Sequence, residues 1–426
     1  MSDHGILSSA ACAGPGTFVV VGRFVVAIAA LSGCAIGWSS ARRLEERNVA
    51  DVRGFEDAAI SPLGDKIALY VFDPTYRDSS GASVPSRLEI RDVNSLKTDS
   101  VIDLPPTVEF GLQFQWSKPV PRVHYCDRSN YILVYIGDGV STVINVKTGQ
   151  KSLIKINRPP QTRQVRGLTQ IAGSCAEQSN VAAFEIVSKP ESLSHLELFD
   201  LDDGKKVKEI PVGTVLSGFV GLDVSPSGDQ ALTYEACYND TMCAGPSKAI
   251  HVLNTRSPAA MKTVDAGHSI GQVSFADDSS IVVVGENYDD KEPRFVKIFN
   301  LSTGKMTSQV GDERDPPVAS ASVSADGRLL FAYTGREDHC ENCNPEACGY
   351  LQVHDARFTV WDLATAQVIA RSPEIAPFKI HGGILEDGKN VRTNERPRFQ
   401  FSRSGNAVLV TNAHDLSAVY VFLLRR

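Results

Sequence analysis

A short phrase recurs along this chain: two apolar residues, an Asp or Asn, usually a further apolar residue, and often a Thr-Gly-like turn. It reads Ile90-Arg91-Asp92-Val93 in a looser first copy, then Ile144-Asn145-Val146 with Thr148-Gly149, Phe199-Asp200-Leu201 with Asp203-Gly204, and Leu253-Asn254. Phe299-Asn300-Leu301 with Thr303-Gly304 and Trp361-Asp362-Leu363 follow. Successive Asp/Asn positions lie 53, 55, 54, 46 and 62 residues apart. A period of that length marks one supersecondary unit used many times, and such a unit buries its apolar faces only against its neighbours.

A second phrase precedes the first in each copy. Its clearest forms are Ile60-Ser61-Pro62-Leu63-Gly64-Asp65, Val224-Ser225-Pro226-Ser227-Gly228-Asp229, Val323-Ser324-Ala325-Asp326-Gly327-Arg328 and Phe401-Ser402-Arg403-Ser404-Gly405-Asn406. Pro presets φ while Gly and Asp accept the turn conformations, so each is a hairpin signal. Degenerate copies at Phe114 to Ser117, around Gly173-Ser174-Cys175, and at Val273 to Asp278 bring the anchors to seven. The runs that follow, among them Ile67 to Val71, Tyr131 to Tyr135, Leu329 to Tyr333 and Ala407 to Val410, are short and rich in β-branched and aromatic residues. They read as buried strands, and no segment after residue 50 holds a helical period. Four strands in each of seven copies predict an all-β chain: a seven-bladed β-propeller of four-stranded antiparallel blades over residues 53–426.

The repeats resemble those of the WD-repeat-like and YVTN-repeat propellers. Trp361-Asp362 is a literal WD dipeptide, and Val410-Thr411-Asn412 followed by Val419-Tyr420-Val421 is close to the YVTN pattern. The resemblance implies a fold and no activity, because propellers host many functions.

The N-terminus carries an address. Arg23, the apolar run Phe24 to Ala30, and Leu31-Ser32-Gly33-Cys34 resemble a bacterial lipoprotein signal, which implies a signal peptide over 1–33 with its lipobox at 31–34. Cys34 would then be the acylated first residue and 34–52 a tether. A signal anchor is the alternative, since Phe18 to Trp38 could nearly span a bilayer, and plain secretion is another. A net charge of -7 and a pI near 5.8, with no long basic block, argue against a nucleic-acid partner.

Seven cysteines follow Cys34, in predicted loops rather than strands, which suits an oxidising compartment. Cys126 and Cys175 occupy equivalent hairpin regions of adjacent blades and could bridge them. Cys237 with Cys243 would close a small loop, and Cys340 with Cys348 another. The segment His339-Cys340-Glu341-Asn342-Cys343 to Cys348 also has zinc-knuckle spacing, with His339 or His354 as the fourth ligand, but the disulfide reading is preferred and no cofactor or metal is assigned.

If the Ser-Pro-x-Gly turn joins the first and second strands and the Asp/Asn turn the third and fourth, both lie on one face. The long segments Phe72 to Ser86, Val187 to His195, Cys237 to Pro246, Asn287 to Pro293 and Arg336 to His354 then fall between second and third strands on the opposite face, together with the insertion Arg371 to Pro397. Insertions gathered on one face mark it for binding. The chain is therefore expected to be an exported, monomeric binding or scaffolding module that takes a protein, peptide or glycan there. The alternative is a propeller enzyme, lactonase-like or quinoprotein-like, with groups from several blades converging at one channel mouth. No catalytic residue is assigned. Gly267-His268-Ser269-Ile270-Gly271 matches the hydrolase nucleophile elbow, but Gln272 to Asp278 continue as a strand and turn instead of a helix. The pairs His381-Gly382 and His414-Asp415 are read as turn residues.

Overall fold

A computed structural model describes residues 43–49, 55–72, 86–104, 122–135, 140–156, 170–188, 193–214, 220–235, 248–257, 261–267, 270–285, 296–311, 318–324, 327–339, 350–374, 378–381, 398–411 and 419–425. The recurrent serine explains how each repeat starts. In the turns at Ser61, Ser225, Ser324 and Ser402 the serine is buried, and its main chain closes the hairpin in both directions. Its N–H donates to the carbonyl five residues on (Ser225 to Gln230, 2.9 Å), and its carbonyl accepts from the turn glycine (Gly228, 2.8 Å). The hydroxyl accepts the remaining strand N–H, at 3.1 Å from Gln230, 3.0 Å from Leu329 and 3.1 Å from Ala407. A turn that leaves the sheet with no orphaned donor can be buried.

The Asp/Asn phrase works in the same manner. The side-chain oxygen of Asp92, Asn145, Asn254 and Asp362 accepts the N–H groups two and three residues on, at 2.8 to 3.1 Å. The fifth residue of that turn takes a left-handed conformation: Gly149, Gly204 and Gly304 lie at φ 68 to 69°, where a side chain would be strained. Leu96 (φ 57°) and Ala366 (φ 53°) hold the same place in two blades, so the backbone demand persists where the glycine is missing.

Hairpins at these two places, the first closed by the serine turn in blades 1, 4 and 6, alternate through six consecutive antiparallel sheets. Blade 1 comprises Phe55–Ile60, Lys66–Phe72, Ser86–Asp92 and Thr98–Asp103; blade 2, Arg122–Cys126, Tyr131–Tyr135, Val140–Asn145 and Lys151–Lys155; blade 3, Gln170–Cys175, Val181–Ser188, Leu193–Asp200 and Lys206–Thr214. Blade 4 comprises Val220–Val224, Gln230–Glu235, Ala249–Asn254 and Met261–Asp265; blade 5, Ile270–Asp277, Ser280–Gly285, Val296–Asn300 and Lys305–Val310; blade 6, Val318–Val323, Leu329–His339, Tyr350–Asp362 and Gln367–Arg371. The first strands touch one another in sequence from blade 1 round to blade 7 and back to blade 1, which closes a ring with those strands innermost. The fourth strands are mostly exposed on the rim.

Blade 7 departs from this scheme. Its inner three strands are Arg398–Phe401, Ala407–Thr411 and Val419–Arg425, but its outer strand is Arg43–Asn48, paired antiparallel with Arg43 opposite Arg425 and Asn48 opposite Tyr420. Residues 43–48, expected to belong to a tether over 34–52, are instead part of the propeller. The physical reason is that Val419–Arg425 would otherwise present an open edge of unpaired backbone groups. The ring is thus locked by joining the two ends of the domain in one sheet.

Packing shows why the blades do not stand alone. The buried apolar residues form seven clusters, and each lies between two adjacent blades. Successive residues of one strand serve opposite neighbours: Val408 and Val410 face blade 6, whereas Ala407 and Leu409 face blade 1. The blade 6–7 interface is the most aromatic, with Phe331 and Phe358 against Phe399 and Phe422 at ring separations of 4.9 to 5.8 Å. The closing strand adds Leu44 to this cluster.

A chain shortened to begin at residue 53 therefore loses the outer strand of blade 7 while keeping every residue of the sequence-defined repeats. We expect it to melt at least 10 °C below a chain that retains 41–52, and to aggregate through the exposed 419–425 edge. Equal melting temperatures in differential scanning calorimetry would contradict this account of closure.

Candidate functional site

The strand order assigns the connections to two faces. Turns between first and second strands, and between third and fourth, share one face; the remaining connections share the other. The described ends of the long insertions named above open on that second face, except that Val187–Ser188 and Leu193–His195 are paired strand, so Val187 to His195 is a short connection at 189–192 and not a long loop. In blade 6 the hairpin of Leu329–His339 and Tyr350–Asp362 continues beyond the body of the blade, with Arg336 opposite His354 and His339 opposite Leu351. Phe378–His381, from the insertion after the fourth strand, pairs on the other side of this hairpin, with Val353 opposite Phe378 and Tyr350 opposite His381. The two longest insertions thus meet in a three-stranded extension. Part of Arg336 to His354 is strand, not loop, and His381 is a strand residue.

Of the expected cysteines, Cys126 and Cys175 meet as a disulfide with Cα atoms 5.7 Å apart. They end the inner strands of blades 2 and 3. Beside them the Asp127 N–H donates to the Ala176 carbonyl at 2.9 Å and the Arg128 N–H to the Glu177 carbonyl at 2.5 Å. Blade 2 lacks the Ser-Pro-x-Gly phrase here and instead passes through three left-handed residues, Asp127, Arg128 and Ser129. The bond therefore staples the blade whose own turn is least regular. Cys34, Cys237, Cys243, Cys340, Cys343 and Cys348 lie outside the described residues, as do Ser269 and His414. Ile270–Asp277 runs as an antiparallel blade strand directly after Ser269.

The channel mouth on the short-turn face gathers polar groups from several blades. Arg403, from the first turn of blade 7, meets the side-chain amide of Gln178 in the first turn of blade 3, and its guanidinium donates to that amide's oxygen once the amide is turned over. These blades are not neighbours, so the guanidinium crosses the mouth. Glu177 sits beside it; desolvation pushes its carboxyl up to about 7, opposed by the Arg403 charge and reinforced by Asp223. Asp223 itself is raised to about 6 by desolvation. Its oxygens are already engaged, accepting from Phe275 N of blade 5 at 2.9 Å, from Ser174 Oγ of blade 3 at 3.1 Å and from its own neighbour Val224 N at 2.9 Å.

Two similar ties run between other inner strands. Asp57 accepts from Val123 N at 2.8 Å, and Gln400 accepts from Ile60 N at 3.0 Å. The convergence anticipated for an enzyme is thus present in outline, but most of these groups hold one blade to the next. Sequence reading did not single out any of them. Their signal was a polar residue in an otherwise apolar inner strand, as in Gly221-Leu222-Asp223-Val224.

A further carboxyl lies between blades 3 and 4. Glu185 is 1% exposed, accepts from Ser194 Oγ at 2.5 Å, and is pushed up to about 8 by desolvation, with the Glu235 charge adding to the shift.

No protein-family model matches the chain, and no curated protein matches it in sequence.

Two outcomes follow. Replacing both Cys126 and Cys175 with Ala should lower unfolding free energy by roughly 2 to 4 kcal/mol while leaving the β-sheet spectrum intact, because a bridge spanning 49 residues restricts the unfolded chain. Denaturant titration of the oxidised and double-variant chains measures it. Glu185 stays protonated in the folded chain up to about 8 but ionises near 4.5 when unfolded, so between those values unfolding releases a proton. Stability is therefore highest toward the lower end of that window and declines as pH rises toward 8; Glu177 and Asp223 act in the same direction over narrower windows. Glu185→Gln should flatten the decline and stabilise the chain at pH 8 by on the order of a few kcal/mol. A pH profile indistinguishable from the parent would refute this assignment.

Proposed function

We propose that this chain is an exported, lipid-anchored propeller of WD-like or YVTN-like repeats that binds a protein, peptide or glycan through its insertion-rich face. The observation that carries the reading is the blade 6 extension, in which the two longest insertions pair with each other instead of lying apart. Paired backbone holds a recognition surface in one shape, which lowers the ordering entropy of binding. The Cys126–Cys175 bridge supports export, since such bonds persist in oxidising compartments. Acylation at Cys34 rests on Leu31-Ser32-Gly33-Cys34.

The closing strand adds an orientation. Arg43 lies opposite Arg425, where a third strand leaves for its outer neighbour, so the chain arrives on the short-turn face. Residues 35–42 reach at most about 30 Å from an acylated Cys34. Arg43 thus enters on the face opposite the blade 6 extension.

The test uses intact cells. The parent chain should partition with membranes, and Cys34→Ala should release it in folded form. Cross-linking in those cells should capture a partner that is lost when residues 340–349 are replaced by a two-residue turn, and retained when the turn at Asp203-Gly204 on the opposite face is altered. Membrane attachment that survives Cys34→Ala would refute the lipid anchor. Capture insensitive to 340–349 would refute the binding face.

A further inference from the structure

Blade 3 carries a cluster that neither the closing strand nor the insertion face requires. His195 and Glu197 are two apart on the third strand of the blade, and therefore share one side of the sheet. Leu196 and Leu198 point the other way, into the packing against blade 4. Glu209, on the outer strand, is the direct cross-strand partner of Glu197. An imidazole nitrogen of His195 and one carboxylate oxygen from each glutamate lie within 4.8 Å of one another.

Three observations set this cluster apart from ordinary surface charge. Like charges directly opposite on neighbouring strands are destabilising, yet Glu197 and Glu209 are so placed. Glu197 is 2% exposed, and its Oε2 is buried and makes no hydrogen bond, which leaves a carboxylate oxygen open to a further ligand. The register slips between Ser194 and His195, which face Gly213 and Pro211, so Val212 is an extra residue and the bulge falls at the histidine. Bulges of this kind re-aim a side chain.

Lys206 now answers the negative charge, with Nζ at 2.8 Å from Glu197 and 2.9 Å from Glu209. It satisfies Glu197 Oε1 but not Oε2. Its side chain is about one-third exposed and reaches the cluster from the start of the outer strand, so it can withdraw into solvent.

We propose that His195, Glu197 and Glu209 form a three-ligand site for a borderline divalent cation of the zinc class, with Lys206 as an intramolecular counter-ion that the metal displaces. One imidazole and two carboxylates on rigid strands suit Zn²⁺ in a tetrahedral set whose fourth position is left to water. The imidazole disfavours Mg²⁺ and Ca²⁺, which select oxygen donors.

The experiment titrates the metal-stripped full chain, with its cysteines oxidised, with Zn²⁺ by calorimetry and with Co²⁺ by absorption. The expected result is one bound equivalent, a Co²⁺ spectrum without thiolate charge transfer, and a binding constant weakened roughly tenfold or more by His195→Ala or Glu209→Gln. Lys206→Met should bind several-fold more tightly and gain more thermal stability from Zn²⁺ than the parent does, which a purely structural ion pair would not produce. Both weakening variants change residues with exposed surface, and unaltered melting without metal confirms that they fold. No binding by the parent, binding unchanged in His195→Ala with Glu209→Gln, a thiolate band pointing to the Cys340 to Cys348 segment, or weaker binding by Lys206→Met would each overturn the proposal.

Discussion

Each sheet in this chain has two apolar faces, and nothing within the blade can cover either. The only cover is the next blade, which has the same need. That reciprocity explains why all seven apolar clusters lie between blades and why neighbouring residues on a single strand belong to different clusters. It also makes closure obligatory, since a row of blades left open would expose one uncovered face at each end. Joining Arg43–Asn48 to Val419–Arg425 converts the row into a ring and fixes both ends of the domain in one sheet.

Burial between blades is non-directional, so it brings sheets together without setting their register about the axis. The polar ties of the inner strands supply that direction. Asp57 to Val123, Gln400 to Ile60, and Asp223 to both Ser174 and Phe275 each fix a side-chain oxygen to a neighbouring blade. Asp223 is held in a desolvated site where its charged form is disfavoured, and three donors offset part of that penalty. The Arg403–Gln178 contact across the mouth extends the same device to blades that do not touch. The channel mouth is thus part of the ring's construction.

The sequence made the second strand of every blade legible, because those strands are buried on both faces, and in blades 1, 4, 6 and 7 they also follow a self-satisfying turn built on a serine. The third-to-fourth turn was equally plain, since an Asx oxygen and a left-handed residue leave a fixed spacing. Arg43-Leu44-Glu45-Glu46-Arg47-Asn48 was not legible as a strand. An outer strand needs little apolar surface, offers Leu44 alone to the core, and pairs with residues more than 370 positions away. Gly335-Arg336-Glu337-Asp338-His339 hid for a related reason: it pairs beyond the packed body, where no β-branched run is demanded. The blade 3 cluster could not be read without the structure, because Glu209 reaches Glu197 only through a register that a bulge has shifted.

The two faces differ in what they can tolerate. On the short-turn face the described connections are hydrogen-bonded to themselves and often to the next blade: Gln178 N donates to the Pro226 carbonyl, Ser227 N to Asp278, and Ser404 N to the Pro62 carbonyl. An insertion there would break both the turn and the tie. On the opposite face the second-to-third connections differ widely in length, from residues 136–139 in blade 2 to 340–349 in blade 6, so length accumulates on that side. Once blade 6 had lengthened on that side, further growth of its outer connection could pair with it, which is the arrangement of Tyr350–Val353 with Phe378–His381. The asymmetry of the turns thereby leads to an asymmetry of surface. One face is committed to holding the propeller shut, and the other is left to vary.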